Sequence, residues 1–380
     1  MATAQTTRKK NTRGPIERRV EARASTASRN GNGRGKKPEN LVIVESPAKA
    51  RTVGNILGDD YTVLASVGHV RDLPAYGYGV EDFETFKPKY VVVKDKRRGV
   101  DKSEIIKQIA EAAKSARRVF LSTDPDREGE AISWHIKEAA GIPDEKATRV
   151  VFHEITKPAI EEAFREATQP TKLDGRHAGR IDMNLVDAQQ SRRVLDRLIG
   201  FPLTWFVQGK VSKAASAGRV QSVALRLIVE REREIQNFTP TEYWSIHAQL
   251  AKEARTFEAE LARLPGMRRD QSLKPPFDST TNRTPAIASQ EQADALVAVL
   301  RRSDFAVSKV ERGERKKGPL PPFTTSTFQQ AANNRLGMGA QRAMGVAQEL
   351  YEGVELPGQG PVGLITYMRT DSLNISPIAR

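Results

Sequence analysis

The chain has 380 residues, 38% hydrophobic and 28% charged, with a formal net charge of +14. That length allows roughly two or three domains, and the charge favours a polyanionic partner, nucleic acid before membrane headgroups. Cysteine is absent, which excludes disulfides and Cys-ligated zinc. No apolar run approaches the roughly 18 residues that span a bilayer, and the first residues lack the apolar core of a signal peptide. A cytoplasmic protein without membrane contact is expected.

Residues 1–40 are Arg, Lys, Ser, Thr, Asn and Gly with almost no large apolar groups. Such a segment cannot bury enough surface to offset its ordering entropy, so it reads as a disordered basic arm, either a nucleic-acid contact or a solvated tail. Order is expected from Leu41. Leu41 to Val44 reads as a buried strand, Ser46-Pro47 as a helix start and Gly58 as its end. Tyr61 to Ala65 reads as a second strand, followed by a Gly- and Tyr-rich loop, "SVGHVRDLPAYGYGV". Residues 101–117 carry Ile105, Ile106, Ile109, Ala112, Ala113 and Ala116 at helical spacing. A third strand, Val119-Phe120-Leu121, leads into a helix from about Arg127 to Ala140, stopped by Gly141 and Pro143. "TRVVFHEIT" is a further strand. This alternation predicts a parallel sheet with helices on both faces.

From Thr156 to about Gln236 the pattern is mainly helical, clearest in "DMNLVDAQQSRRVLDRLIG" and "GRVQSVALRLIVEREREI". Residues 241–262 alternate apolar and polar and read as a hairpin, and "FAVSKVERGERKK" as another strand. A last helical unit opens with "GPLPPFTTSTFQQ" and ends in "GLITYMRTDSLNIS", a strand entering a loop. No internal repeat is visible.

The third strand raises a question of charge. It is followed by Asp124, Asp126, Glu128 and Glu130, a carboxylate at every second position. Carboxylates packed this closely repel one another and resist burial unless something positive sits among them. In a parallel sheet, ligands bind outside the carboxyl ends of strands. Glu45 ends the first strand, and Asp124, Asp126 and Glu128 follow another. If the two strands are neighbours, these four residues converge. Oxygen-only donors on a short loop suit Mg²⁺. The competing reading is a helix N-terminus that favours acidic residues, which accounts for Glu128 and Glu130 better than for Asp124 and Asp126.

"VIVESPAKA" with "STDPDREGEAISWH" resembles the Toprim domain. Together with "SVGHVRDLP", "SAGRVQSVALR", "PPFTTSTFQQ" and "GLITYMRTDS", six motifs in order, the chain from about residue 40 to its end resembles the bacterial type IA DNA topoisomerases. The resemblance implies an α/β Toprim domain at 41–155 and a helical DNA-binding domain at 156–240. A β-containing arch at 241–318 and a catalytic tyrosine domain at 319–380 complete the expected division, as parts of the family's torus. It implies a monomer, associated with the nucleoid, that relaxes negatively supercoiled DNA. It does so through a single-stranded segment, with Mg²⁺ and without ATP. No GxxxxGK[ST] phosphate loop is present; "GRGKKPEN" is the nearest look-alike. The chain stops thirteen residues after Tyr367, where the family's chain returns through further domains. A fragment of a longer protein is therefore expected.

The resemblance also assigns roles. Tyr367 would attack a DNA phosphorus and form a 5′-phosphotyrosine. Free tyrosine, with a pKa of about 10, needs nearby positive charge to do this. Arg369, two residues on, is assigned to the scissile phosphate, and Lys49 to the same electrostatic role. Glu45 is a proton donor to the leaving 3′ oxygen or a metal ligand; both stay open. Arg192, Arg193 and Asp196, on about one helical turn, would meet single-stranded DNA, and His69 a nucleotide or phosphate. In Ser216, Ala217, Gly218, Arg219, Val220 and Gln221, small residues let backbone amides approach phosphates and Arg219 adds charge. Phe201 and Gln208, placed after the helix, are candidates for base contact. Two other readings remain: another Toprim enzyme such as a primase or nuclease, or a DNA-binding fragment without turnover.

Overall fold

The computed structural model describes residues 39–95, 100–169, 179–277, 283–368 and 373. Of the expected sites, Arg369 and the basic arm up to residue 38 lie outside the described residues. Among the described residues no helix is long and apolar enough to cross a membrane.

The first half is a parallel sheet. Strand β1 (Asn40–Val44) lies between β2 (Tyr61–Ala65) and β3 (Arg118–Leu121), and β4 (Ala147–Arg149) adds to β3. Helices α1 (Pro47–Leu57), α2 (Ser103–Ser115), α3 (Arg127–Ala140) and α4 (Lys157–Thr168) cover it. The alternation of side chains along a strand divides them into two cores. Leu41, Ile43, Val119 and Leu121 pack with Ile109 of α2 and Ile132 and Ile136 of α3. Val42, Val44 and Phe120 pack with Val53 of α1 and Ile160 and Phe164 of α4. Full burial of each such side chain stabilises by about 1.5–3 kcal/mol, which makes a strand apolar on both faces stable only at the centre. The α1 start is as expected: the Ser46 side chain accepts from the Lys49 amide at 3.2 Å, and Pro47 needs no partner at the first turn.

"TRVVFHEIT" is strand only over β4. Its neighbour β3 turns away after Leu121 into the acidic loop, so no ladder exists for the residues beyond. Helix α5 (Met183–Lys210) runs through Gly200 and Pro202, past the expected end. Phe201 and Gln208 therefore stand on the helix and not after it. Pro202 removes one backbone bond, but tertiary contacts hold the segment. The Arg197 guanidinium lies 4.3 Å over the Phe201 ring and donates to the Pro74 carbonyl at 2.6 Å, while Thr204 exchanges hydrogen bonds with Ala217. Helix α6 (Arg219–Gln236) follows.

The expected hairpin is present as β5 (His247–Lys252) and β6 (Arg255–Glu260). A small core of Ile246, Leu273, Ile287 and Ala293 lies under α7 (Gln290–Leu300). The strand expected at 305–317 is not formed: the stretch is exposed and irregular, with no ladder partner among the described residues. Helices α8 (Thr325–Leu336) and α9 (Ala340–Glu352) lead into a tight hairpin, β7 (Val354–Leu356) and β8 (Gly360–Val362). Over its described residues, 363–368, the segment after β8 is no strand either. It is tied by single bonds, from the Leu364 amide to the Leu350 carbonyl at 2.7 Å and from the Tyr367 amide to the His153 carbonyl at 2.7 Å. Helix α9 docks on α1, where Thr52 Oγ1 donates to the Glu352 carbonyl at 2.7 Å. The approach is so close that a Cβ on Gly353 (φ 127°) would stand 2.4 Å from Thr52 Oγ1.

Candidate active site

Parallel pairing of β1 with β3 brings the two carboxyl ends together, so Glu45 and Asp124 meet. Between them stands Lys49, from the first turn of α1. Its Nζ donates to Glu45 Oε1 at 2.9 Å, Glu45 Oε2 at 3.2 Å and Asp124 Oδ1 at 2.9 Å. Lys49 is 0% exposed. Here is the positive charge that the acidic run demands, and it is a lysine. One ammonium serves two carboxylates, so one negative charge is left over in a buried place. Burial accordingly pushes the Glu45 carboxyl up to about 7, against the pull of Lys49 and with the help of the Asp124 charge.

Asp126 has two tasks. It caps α3, accepting from the Gly129 amide at 2.8 Å, and its other oxygen accepts the Tyr367 hydroxyl. Glu128 turns away to His69 Nε2 and Gln189 Nε2, both at 3.1 Å. The His69 hydrogen bond holds its carboxyl below the usual range, against burial. The four expected metal ligands are thus drawn apart, Glu45 and Asp124 to Lys49, Asp126 to Tyr367 and the Gly129 amide, and Glu128 to His69 and Gln189. Among the described residues no three Asp, Glu or His side chains come together as an ion site. The hard oxygen donors of Asp124, Asp126 and Glu128, on the loop after β3 and the first turn of α3, still fit Mg²⁺ chemically.

The loop is held from below. Arg149, 3% exposed, donates from Nε to Glu130 Oε2 at 2.8 Å. Its Nη1 reaches the carbonyls of Leu121, Thr123 and Val150, and its Nη2 that of Asp124, all at 2.8–3.0 Å. The second Glu130 oxygen accepts from the Asp182 amide at 2.7 Å, at the start of α5. Gly129 leaves room for this loop: a Cβ there would stand 2.1 Å from the Asp124 carbonyl oxygen. Gly129→Ala is therefore expected to destabilise the fold by about 1–3 kcal/mol through overpacking and to displace Asp124. Urea unfolding would check the first effect. A variant as stable as the parent would show that the loop has slack.

Beside the acids is a cleft of about 320 Å³ lined by His69, Asp72, Glu128, Arg192, Arg193 and Asp196, among others. Arg193 grips Asp72 with two bonds, at 2.8 and 2.6 Å, and Arg219 grips Asp196 at 2.9 and 3.1 Å. Four of the expected DNA contacts, His69, Arg192, Arg193 and Asp196, thus share one wall. In the 216–221 stretch, Ala217 is tied to Thr204, Ser216 Oγ lies 3.4 Å from Gln221 Oε1, and Gly218 caps α6 in extended conformation. Val220 is exposed. Also lining the cleft, Arg71 donates to His135 Nδ1 at 3.1 Å and lies over the Tyr90 ring and that of Trp134. Burial, then the Arg71 charge, pushes His135 down to about 3, so it is neutral. Sequence reasoning missed Asp72, Gln189 and Arg149, since each acts through a partner far along the chain.

A Toprim domain model matches residues 40–155, and a DNA topoisomerase model matches residues 180–380. Full-length topoisomerase I from Thermotoga maritima, solved in a monoclinic crystal form, is 35% identical with a TM-score of 0.69, over 89% of this chain and 50% of that one. The chain belongs to the bacterial type IA DNA topoisomerase family. It spans half the length of the T. maritima chain. The sheet with α1, α2 and α3 falls within the Toprim match, and the Tyr367 segment comes from the second matched region to meet it.

Proposed function

We propose that the chain acts in the ATP-independent relaxation of negatively supercoiled DNA, by transient cleavage of a single strand through a 5′-phosphotyrosine on Tyr367, strand passage and religation. One observation carries this reading: the Tyr367 hydroxyl is delivered to Asp126, 241 residues away, beside Lys49, Glu45 and Asp124. A tyrosine serving only a core has no need of an acidic loop.

The chemistry follows from the partners. Burial pushes the Tyr367 hydroxyl far above the ordinary tyrosine range, and the Asp126 hydrogen bond and the surrounding carboxylates push the same way. A free phenolate is thus disfavoured, and Asp126 is placed to accept the proton as the oxygen attacks phosphorus. The new bond joins Tyr367 oxygen to phosphorus, and the bond from phosphorus to the 3′ oxygen breaks. Glu45, with its acidity weakened to about 7, holds a proton for that leaving oxygen. Lys49 sets positive charge beside the phosphate, and Arg369 is proposed to do the same. Asp124, Asp126 and Glu128 would hold Mg²⁺, which when bound supplies further positive charge against the phosphate. Religation is the same exchange in reverse, so no nucleotide is consumed. Arg192, Arg193, His69 and the 216–221 stretch are proposed to hold the single strand. The α6 start offers backbone amides to phosphates.

The test is an adduct. A single-stranded oligonucleotide labelled at its 3′ end, incubated with the protein and trapped with detergent, should carry its label into a protein band. Transfer of a 5′ label in its place would contradict this polarity and overturn the proposal.

A further inference from the structure

Tyr351, the next-to-last residue of α9, has no part in the reading above, yet it is 2% exposed and faces the reaction centre. Its ring meets the Tyr367 ring edge-on, with centroids 5.3 Å apart, and Lys49 Nζ lies 5.8 Å from its centre. Its hydroxyl is buried and meets no partner at full hydrogen-bond geometry; the Asp124 carboxylate is the group it interacts with, and only weakly. A buried donor held so weakly is rare, because it costs stability that phenylalanine would not forgo. Packing alone therefore does not account for tyrosine here. Nor is the ring free to move off. A Cβ on Gly363 would lie 2.9 Å from the Tyr351 carbonyl oxygen, and the Thr52 bond to Glu352 fixes the next residue against α1.

Burial holds the Tyr351 hydroxyl well above the ordinary tyrosine range, and the Asp124 and Glu45 charges and a weak hydrogen-bond interaction with the Asp124 carboxylate push the same way, so the group remains a neutral phenol, a donor. Asp124 has only Lys49 as its side-chain cation, shared with Glu45. When Lys49 shares its charge with a DNA phosphate, Asp124 holds less of its side-chain cation.

We propose that Tyr351 is a positioning residue for strand cleavage: its ring sets the edge of the Tyr367 ring, and its O–H is the donor that tightens on the Asp124 carboxylate when Lys49 engages the phosphate. The inference rests on the reading of Tyr367 as nucleophile. It gives the weakly held hydroxyl a full partner in the DNA-bound state and keeps Asp124 aimed while the cation is shared. The hydroxyl exchanges no proton in this scheme.

Tyr351→Phe in the full chain removes one oxygen and keeps the ring. Three quantities are read: thermal midpoint, affinity for a 3′-labelled single strand, and the yield of covalent adduct on that strand. The expected result is an unchanged or higher midpoint, unchanged affinity, and an adduct yield lower by about tenfold or more, the size of a lost hydrogen bond to a charged group. Equal adduct yield at equal affinity would overturn the inference, leaving Tyr351 as packing. A lower midpoint with a proportional loss of adduct would also overturn it, because the hydroxyl would then be a structural bond. A parent chain that forms no adduct under any of these conditions would overturn the reading of Tyr367 itself, and this inference with it. The two failures are thus told apart by whether the parent or only the variant is silent.

Discussion

Tyr367→Phe should abolish the covalent adduct while leaving single-strand binding in place. The substitution deletes the attacking oxygen, so no weaker version of the reaction remains. The ring stays, and with it the edge contact to Tyr351 and the place beside Ile365 in the second core. The hydroxyl's bond to Asp126 is lost, but Asp126 keeps the Gly129 amide and its own helix cap. Stability should therefore change by no more than a charged hydrogen bond, about 1.5–3 kcal/mol. The proposed binding residues Arg192, Arg193 and His69 lie on the cleft wall and are untouched. Denaturing electrophoresis with the 3′-labelled strand reads the adduct, and fluorescence anisotropy reads the binding. An adduct from the Phe variant at the parent's yield would remove Tyr367 from the reaction.

Arg149→Met should be the most destabilising single change in the Toprim half. The guanidinium is sealed from solvent and serves one carboxylate and four carbonyls at once. Methionine fills much of the volume and satisfies none of them. Removing one partner of a buried ion pair costs about 3–5 kcal/mol, because the other charge is left unpaired. At a few degrees for each kcal/mol, the melting temperature should fall by roughly 10 °C. The double variant Arg149→Met with Glu130→Gln should recover part of this, since the amide carries no orphan charge. A fall of no more than about 2 °C in Arg149→Met would show that water reaches the site and that the burial described here does not persist in solution. No effect of this kind is expected from Arg219, whose pair with Asp196 is exposed on both sides, and such surface pairs contribute little.

The sequence by itself was enough for whatever depends on neighbours along the chain. The apolar run Leu41 to Val44 predicts a buried central strand because only a strand covered on both faces can be apolar throughout. Ser46 with Pro47, and Gly141 after α3, mark helix ends because the orphan backbone groups there must be met locally. The 241–262 hairpin follows from its alternation. The acidic run is visible as a problem of charge, and its place at a strand's carboxyl end is enough to call it a site. The proposal of Tyr367 as nucleophile rests on the motif around it, since a lone tyrosine in an apolar stretch reads more simply as core.

Tertiary structure decided the rest, and the reason in each case is distance along the chain. The charge among the carboxylates depends on β1 pairing with β3, which sets Lys49 against Asp124 75 residues away. The Arg193 grip on Asp72 spans 121 residues, and Tyr367 reaches Asp126 across 241. Helix α5 continues through Pro202 because Arg197 and Thr204 find partners off the helix, which no local propensity records. The stretch 305–317 makes the same point in reverse. Its pattern suits a strand, but strand pairing needs a second edge, and among the described residues none is supplied. Local periodicity states what a segment can become; whether it does, and which charges then meet, is settled by the partners that folding brings to it.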